Sequence, residues 1–125
     1  PAFNRDRSKE GNPWQDSWEF YRQVRDHIAY IHVKDCLSPT AENKDKEIYV
    51  YPGEGHGYVR EIMEDLKRTG YQGGISIEPH LAAVFHDADS QNQTTEDPAE
   101  IYLKYGRGLM QILTEIGYEH QPYQP

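Results

Sequence analysis

The chain has 125 residues, enough for one domain, and its 36% apolar content and mean hydropathy of −0.94 leave a lean core. A formal net charge of −8 argues against binding the phosphate backbone of a nucleic acid or an anionic membrane surface. No run approaches the roughly 18 apolar residues of a membrane span, Pro1 begins no signal-peptide pattern, and one cysteine, Cys36, cannot form an internal disulfide. These features point to a reducing compartment, most simply the cytoplasm.

Residues 1–11 carry much charge and no apolar periodicity, and read as a loop. A first helix is predicted from Pro13, capped by Asn12, with Gln15 completing a weak capping box. Trp14, Trp18, Tyr21, Val24 and Ile28 fall at helical spacing along it. A first strand follows over Ala29 to Asp35. The stretch from Leu37 to His56 is a long polar excursion. It holds a short β-rich run, Ile48-Tyr49-Val50-Tyr51, and then Pro52-Gly53-Glu54-Gly55.

A second helix is predicted over Tyr58 to Thr69. Val59, Ile62, Met63 and Leu66 form its stripe and Gly70 stops it. A tight turn leads to a second strand, Ile75 to His80. After a long polar loop, Asp97-Pro98-Ala99-Glu100 gives a cap, a proline at the first position and a carboxylate at the third. Tyr102, Tyr105, Leu109, Ile112, Leu113 and Ile116 line that third helix, and Gly117 ends it. Gly106 and Gly108 either weaken the helix or let a neighbour approach closely. Residues 118–125 read as a frayed tail.

Connections from helix to strand are short and those from strand to helix are long. This asymmetry belongs to βα units with function at one end. Two or three parallel strands do not make a stable sheet alone. The chain is therefore expected to be part of a larger barrel or to pair with another copy.

The strand ends carry the candidate chemistry. Tyr30, His32 and Lys34 share one face of the first strand, and Ser76, Glu78 and His80 one face of the second. His32 and Glu78 are the best metal-ligand pair, since an imidazole nitrogen with a carboxylate oxygen suits Mn²⁺, Co²⁺, Mg²⁺ or Zn²⁺. The bland alternative is a hydrogen-bonded histidine and a salt-bridged glutamate. Lys34 and Asp35 either bind substrate oxygens or pair with each other. Glu54 either meets a ligand or caps the helix near Tyr58.

Cys36 is either a nucleophile or a small semi-buried residue, with the second reading favoured. His56, His80 and His86 with Asp87 and Asp89 either form a metal cluster or fall in the loops by chance. Asn92-Gln93-Thr94 matches the glycosylation pattern, and the lack of a secretion signal makes that a chance match. There is no CxxC, HExxH, GxSxG or GxxxxGK[ST].

Ile31-His32-Val33-Lys34-Asp35, then Pro52-Gly53-Glu54-Gly55, Gly70-Tyr71-Gln72-Gly73 and Ile75-Ser76-Ile77-Glu78-Pro79-His80 form an ordered set. From Trp14 to Ile116 the chain resembles the C-terminal half of the xylose-isomerase-like TIM-barrel superfamily, closest to its sugar phosphate isomerase/epimerase members. The resemblance implies an α/β fold that is the C-terminal part of a (β/α)8 barrel, with residues 1–125 one partial domain. In that family a divalent ion is held by Glu, Asp, His and Glu. His32 and Glu78 match the last two, and the others would precede this chain. The family's Asp-Pro-Ala-Asn strand end resembles the opening Pro1-Ala2-Phe3-Asn4, as though the barrel were cut after its fifth strand.

Two departures narrow the resemblance. Glu47 and Tyr49 stand where the three-metal nucleases of the family carry Asp and His, which favours a single-metal isomerase. Ser38 stands where the keto-sugar 3-epimerases carry Arg, which puts that substrate subgroup in doubt.

The resemblance implies metal-assisted proton transfer on a small keto or hydroxy sugar through an enediolate. Glu78 would be a ligand and catalytic base, with Lys34, Glu54 and His80 contacting substrate. Two alternatives stay open. One is a lyase of inosose- or dehydroshikimate-dehydratase type on the same fold. The other is a non-catalytic half-barrel that assembles with a missing N-terminal half or as a homo-oligomer. The isolated chain is expected to be inactive or nearly so.

Overall fold

A computed structural model of the chain describes residues 5–40, 48–81 and 97–119. The described residues form a mixed α/β structure of three helices and two small sheets.

Helix α1 spans Ser17–Val24 and begins four residues later than the sequence predicts. The Asn12-Pro13 start is overridden by a pairing across the preceding turn. Asn12 takes a positive φ of 45°, and the Asp6 N–H donates to the Pro13 carbonyl at 2.8 Å. Trp14 forms an antiparallel bridge with Arg5, whose guanidinium lies 3.6 Å from the indole centroid. The true cap is Asp16, whose side chain accepts the Glu19 N–H at 2.8 Å. Trp14 therefore leaves the predicted stripe, while Tyr21 is buried and Trp18 and Ile28 pack against the core.

The predicted first strand divides at Lys34. Strand β1, Tyr30–Val33, pairs in parallel with β4, Gly74–Ile77, with His32 opposite Ser76 and Val33 opposite Ile77. Strand β2, Asp35–Leu37, turns away and pairs antiparallel with β3, Ile48–Val50, the short run marked in the sequence. An all-parallel arrangement is therefore not observed. Cys36, in β2, is buried.

Helix α2 spans Val59–Thr69, and Gly70 ends it with a φ of 76°. Its predicted stripe holds: Val59, Met63 and Leu66 are buried and Ile62 packs beside them. Helix α3 spans Pro98–Glu115 and starts at the predicted cap, where the Asp97 side chain accepts the Ala99 N–H at 3.0 Å. Its buried face is Ile101, Tyr105, Leu109 and Ile112 rather than one that includes Tyr102, which is 49% exposed. Ile101 precedes Tyr105 by four positions and so lies on the same side, whereas Tyr102 is rotated off it. Any Cβ added at Gly106 or Gly108 would meet nothing closer than 3.7 Å. No close approach requires those glycines.

One cluster unites the elements. Tyr21, Val33, Val59, Met63, Leu66, Leu109 and Ile112 are all buried together. Each such side chain contributes about 1.5–3 kcal/mol relative to exposure. Helices α1 and α2 are also tied by Asp65, which accepts from Tyr21 Oη at 2.8 Å, Arg25 Nη1 at 3.2 Å and Arg68. Burial alone would raise the Asp65 carboxyl, but these three donors outweigh it and hold it below its ordinary range. Tyr118 is not frayed: its N–H donates to the Leu113 carbonyl at 2.9 Å and its hydroxyl to the Met63 carbonyl at 3.4 Å.

Candidate functional site

The parallel pairing of β1 with β4 brings the predicted residues to one end of the sheet. Beyond the last paired residues, the Glu78 N–H donates to the Val33 carbonyl at 2.9 Å. The ladder thus extends one step and fixes the Glu78 backbone beside the end of β1. Since side chains alternate, His32, Lys34, Ser76 and Glu78 share a face.

Glu78 is the centre of the group. Its Oε1 lies 2.9 Å from His80 Nε2, and its Oε2 lies 3.8 Å from His32 Nδ1 and 3.7 Å from Lys34 Nζ. The His80 hydrogen bond is the main cause that holds the Glu78 carboxyl below its ordinary range. Partial burial opposes it, and Lys34, His80 and His32 add to the lowering. The Tyr49 ring lies 4.7 Å from that of His80, and the Tyr30 ring 5.4 Å from that of His32. The cluster is open to solvent, with the Glu78 side chain 39% exposed.

His32, Lys34, Glu78 and His80 are therefore brought together. Glu54 is not: it lies on an exposed turn and lines a separate hollow with Arg60, Lys104 and Gln111. Nor does Glu54 cap α2: the capping position is Tyr58, and no side-chain capping bond is made there among the described residues. His86, Asp87, Asp89, Asn92 and Glu47 lie outside the described residues.

Asp35 departs most from expectation. It does not pair with Lys34, which turns to Glu78. Its side chain is 1% exposed and accepts four backbone N–H groups: Cys36 at 2.9 Å, Gly53 at 2.9 Å, Gly55 at 3.0 Å and Gly57 at 3.0 Å. A buried carboxylate needs such donors, since an ion taken from water without them costs several kcal/mol. In return Asp35 folds the glycine-rich turn between β3 and α2. A Cβ at Gly55 would collide with that carboxylate and stand 2.6 Å from the Cys36 carbonyl oxygen. Behind it, the Asp35 N–H donates to Tyr105 Oη at 3.1 Å, and burial pushes the Tyr105 phenol up.

A cation about 2.1 Å from each donor holds two donors no more than about 4.2 Å apart. The 3.8 Å between His32 Nδ1 and Glu78 Oε2 meets that limit. These residues fit as two donors of a larger set, and no trio of His, Cys, Asp or Glu among the described residues is placed to hold an ion. The lowered carboxyl suits a ligand or an acceptor for hydroxyl groups more than a base working near neutral pH.

A hollow of about 440 Å³ is lined by residues of α1, β1 and α2, and among the described residues β1 pairs with β4 alone. His32 and Lys34 stand at its wall above Ile31, Val24 and Met63. No helix among the described residues is long and apolar enough to cross a membrane. No protein-family model matches the chain, and no characterised protein or solved structure does.

Proposed function

We propose that this chain carries one edge of a metal-dependent isomerase or epimerase site for a sugar-like keto or hydroxy substrate, on the C-terminal part of a (β/α)8 barrel. The observation that supports this reading is the approach of His32 and Glu78, 3.8 Å apart at the C-terminal ends of two parallel strands. In such folds those strand ends carry the chemistry. His32 and Glu78 would hold the ion, whose contribution is to polarise a carbonyl oxygen.

The chain's own residues bind and orient. His80 steadies Glu78 through its 2.9 Å contact. The Lys34 ammonium, 3.7 Å from Glu78, can donate to a negatively charged substrate oxygen. The remaining ion ligands, the partner carboxylate and the rest of the barrel would come from polypeptide outside the described residues.

Titration of the full chain with Mn²⁺, followed by NMR line broadening, tests the reading. Broadening should centre on His32 and Glu78, and His32→Ala should abolish it. Broadening that spreads evenly over the acidic surface, or survives in His32→Ala, rejects the pair as ligands. Purified chain alone should show no turnover of keto or hydroxy sugars, and substantial turnover would contradict a partial site.

A non-catalytic half-barrel that assembles with another polypeptide is favoured by one further observation. Among the described residues β1 pairs with one strand only, and its other edge, with the apolar hollow that β1 lines, is a surface that a further strand would cover. Under this reading the chain should sediment as an assembly larger than 14.6 kDa.

A further inference from the structure

We propose that Tyr49 is a positioning residue of the Glu78 site: its ring holds the His80 imidazole in the orientation from which Nε2 meets the Glu78 carboxylate. This role rests on the reading of Glu78 as the group that receives the ion, and it brings a residue of the second sheet into that site.

His80 lies past the end of β4, in a turn, with its side chain 33% exposed. A side chain placed there rotates freely unless a neighbour holds it, and holding it costs entropy. Two contacts among the described residues do so. Nε2 lies 2.9 Å from Glu78 Oε1. The Tyr49 ring lies 4.7 Å from the imidazole, centroid to centroid, with 33° between the planes. That is the spacing of a tilted aromatic pair. The bond to Glu78 fixes one edge of the imidazole, and the tyrosine fixes its plane.

The consequence falls on Glu78. An ionised carboxylate only accepts, so His80 Nε2 carries its proton toward Oε1. With Oε1 engaged in this way, Oε2 is turned to His32 and Lys34, 3.8 and 3.7 Å away. Oε2 is the oxygen that an ion would share with His32. Tyr49 thus acts on the ligand pair through His80.

The tyrosine is carried by a well-secured strand. Tyr49 is the middle residue of β3 and stands opposite Cys36 of β2. The turn that follows β3 is bound by the Asp35 carboxylate through Gly53, Gly55 and Gly57, and the Asp35 N–H is tied to Tyr105 of α3. A ring on such a backbone orients its neighbour better than one on a loose loop. Tyr49 also lines the 440 Å³ hollow together with His32 and Lys34. The antiparallel β2–β3 pairing therefore has a part in the site that the parallel sheet does not supply.

The test is NMR of the full chain and of two variants, Tyr49→Phe and Tyr49→Leu, first without metal. In the natural chain the His80 ring protons should be displaced upfield by the tyrosine ring current and show NOEs to the Glu78 side chain. Tyr49→Phe should keep both signals, and Tyr49→Leu, which keeps apolar bulk without a ring, should lose both. Mn²⁺ is then titrated. Tyr49→Leu should bind it about fivefold more weakly at Glu78, within the range that an aromatic pair contributes, and Tyr49→Phe as the natural chain does. Absence of the upfield displacement in the natural chain overturns the proposal whether or not the variants fold. So does a Leu variant that keeps the His80–Glu78 NOEs or binds Mn²⁺ as tightly as the natural chain, or a Phe variant that loses the NOEs. If the natural chain shows no saturable broadening at Glu78, the ion reading fails instead, and the metal-free signals still decide whether Tyr49 positions His80.

Discussion

Replacing Asp35 by asparagine keeps the shape of the side chain and removes half of its work. The carboxylate accepts two N–H groups on each oxygen: Cys36 and Gly57 on Oδ1, Gly53 and Gly55 on Oδ2. An amide retains one oxygen and sets an NH₂ against the other two donors. With about 1–1.5 kcal/mol for each bond lost, Asp35→Asn should cost about 2–3 kcal/mol. Asp35→Ala, which loses all four, should cost about 4–6 kcal/mol. That is a large share of the roughly 5–15 kcal/mol that holds a domain together.

Urea unfolding followed by circular dichroism measures the loss. Hydrogen exchange at the Gly53, Gly55 and Gly57 amides locates it. An Asn variant within about 0.5 kcal/mol of the natural chain, with those three amides still protected, would refute the view that this carboxylate organises the turn.

Four further outcomes are expected. Gly108→Ala should stabilise the chain by about 0.5–1 kcal/mol, because the site is helical and a Cβ there meets Pro52 at an ordinary 3.7 Å; thermal melting reads this. Gly55→Ala should destabilise strongly, and a neutral result in the same melt would mean the turn is placed otherwise. Tyr21→Phe should cost about 1–2 kcal/mol through the lost bond to Asp65, measurable by urea unfolding. His80→Ala should raise the titration midpoint of Glu78, followed by the carboxyl ¹³C shift, since the His80 bond is the main cause of its lowering.

The same Glu78 shift has a sign for stability. A carboxyl lowered in the folded state favours folding above its unfolded value of about 4.3, and the benefit fades as pH falls from there through the folded value. Because the side chain is 39% exposed, the effect should be small. His80→Ala should flatten it.

Local signals carried much of the architecture. Helix α2 lies within one residue of its prediction because its stripe is regular and Gly70 is a clean stop. Helix α3 begins at the Asp97-Pro98 signature. Strand alternation put His32 and Lys34 on one face of the first strand and Glu78 and His80 on one face of the second; the parallel pairing of β1 with β4 then joins the two faces. Non-local contacts were the hidden part. The Arg5–Trp14 bridge displaced a plausible cap at Asn12, and nothing in the alternation from Tyr30 to Leu37 betrays the change of sheet at Lys34. The role of Asp35 was concealed because its partners are backbone groups far along the chain. One signal did exist: Gly53, Gly55 and Gly57 recur at every second position, the pattern expected where a side chain presses on one side of a strand-like turn.

The bond from the Asp35 N–H to Tyr105 Oη joins residues 70 positions apart. It makes the last helix a structural prerequisite for the middle of the chain. During synthesis β2 and the glycine-rich turn leave the ribosome well before α3, so they wait with their shared core side exposed. Long separations of this kind slow folding, because the entropy of closing the loop is lost before the contact forms. Folding should therefore run as one late, concerted step, and a nascent chain stalled short of Tyr105 should remain open to proteases through the turn that Asp35 later secures.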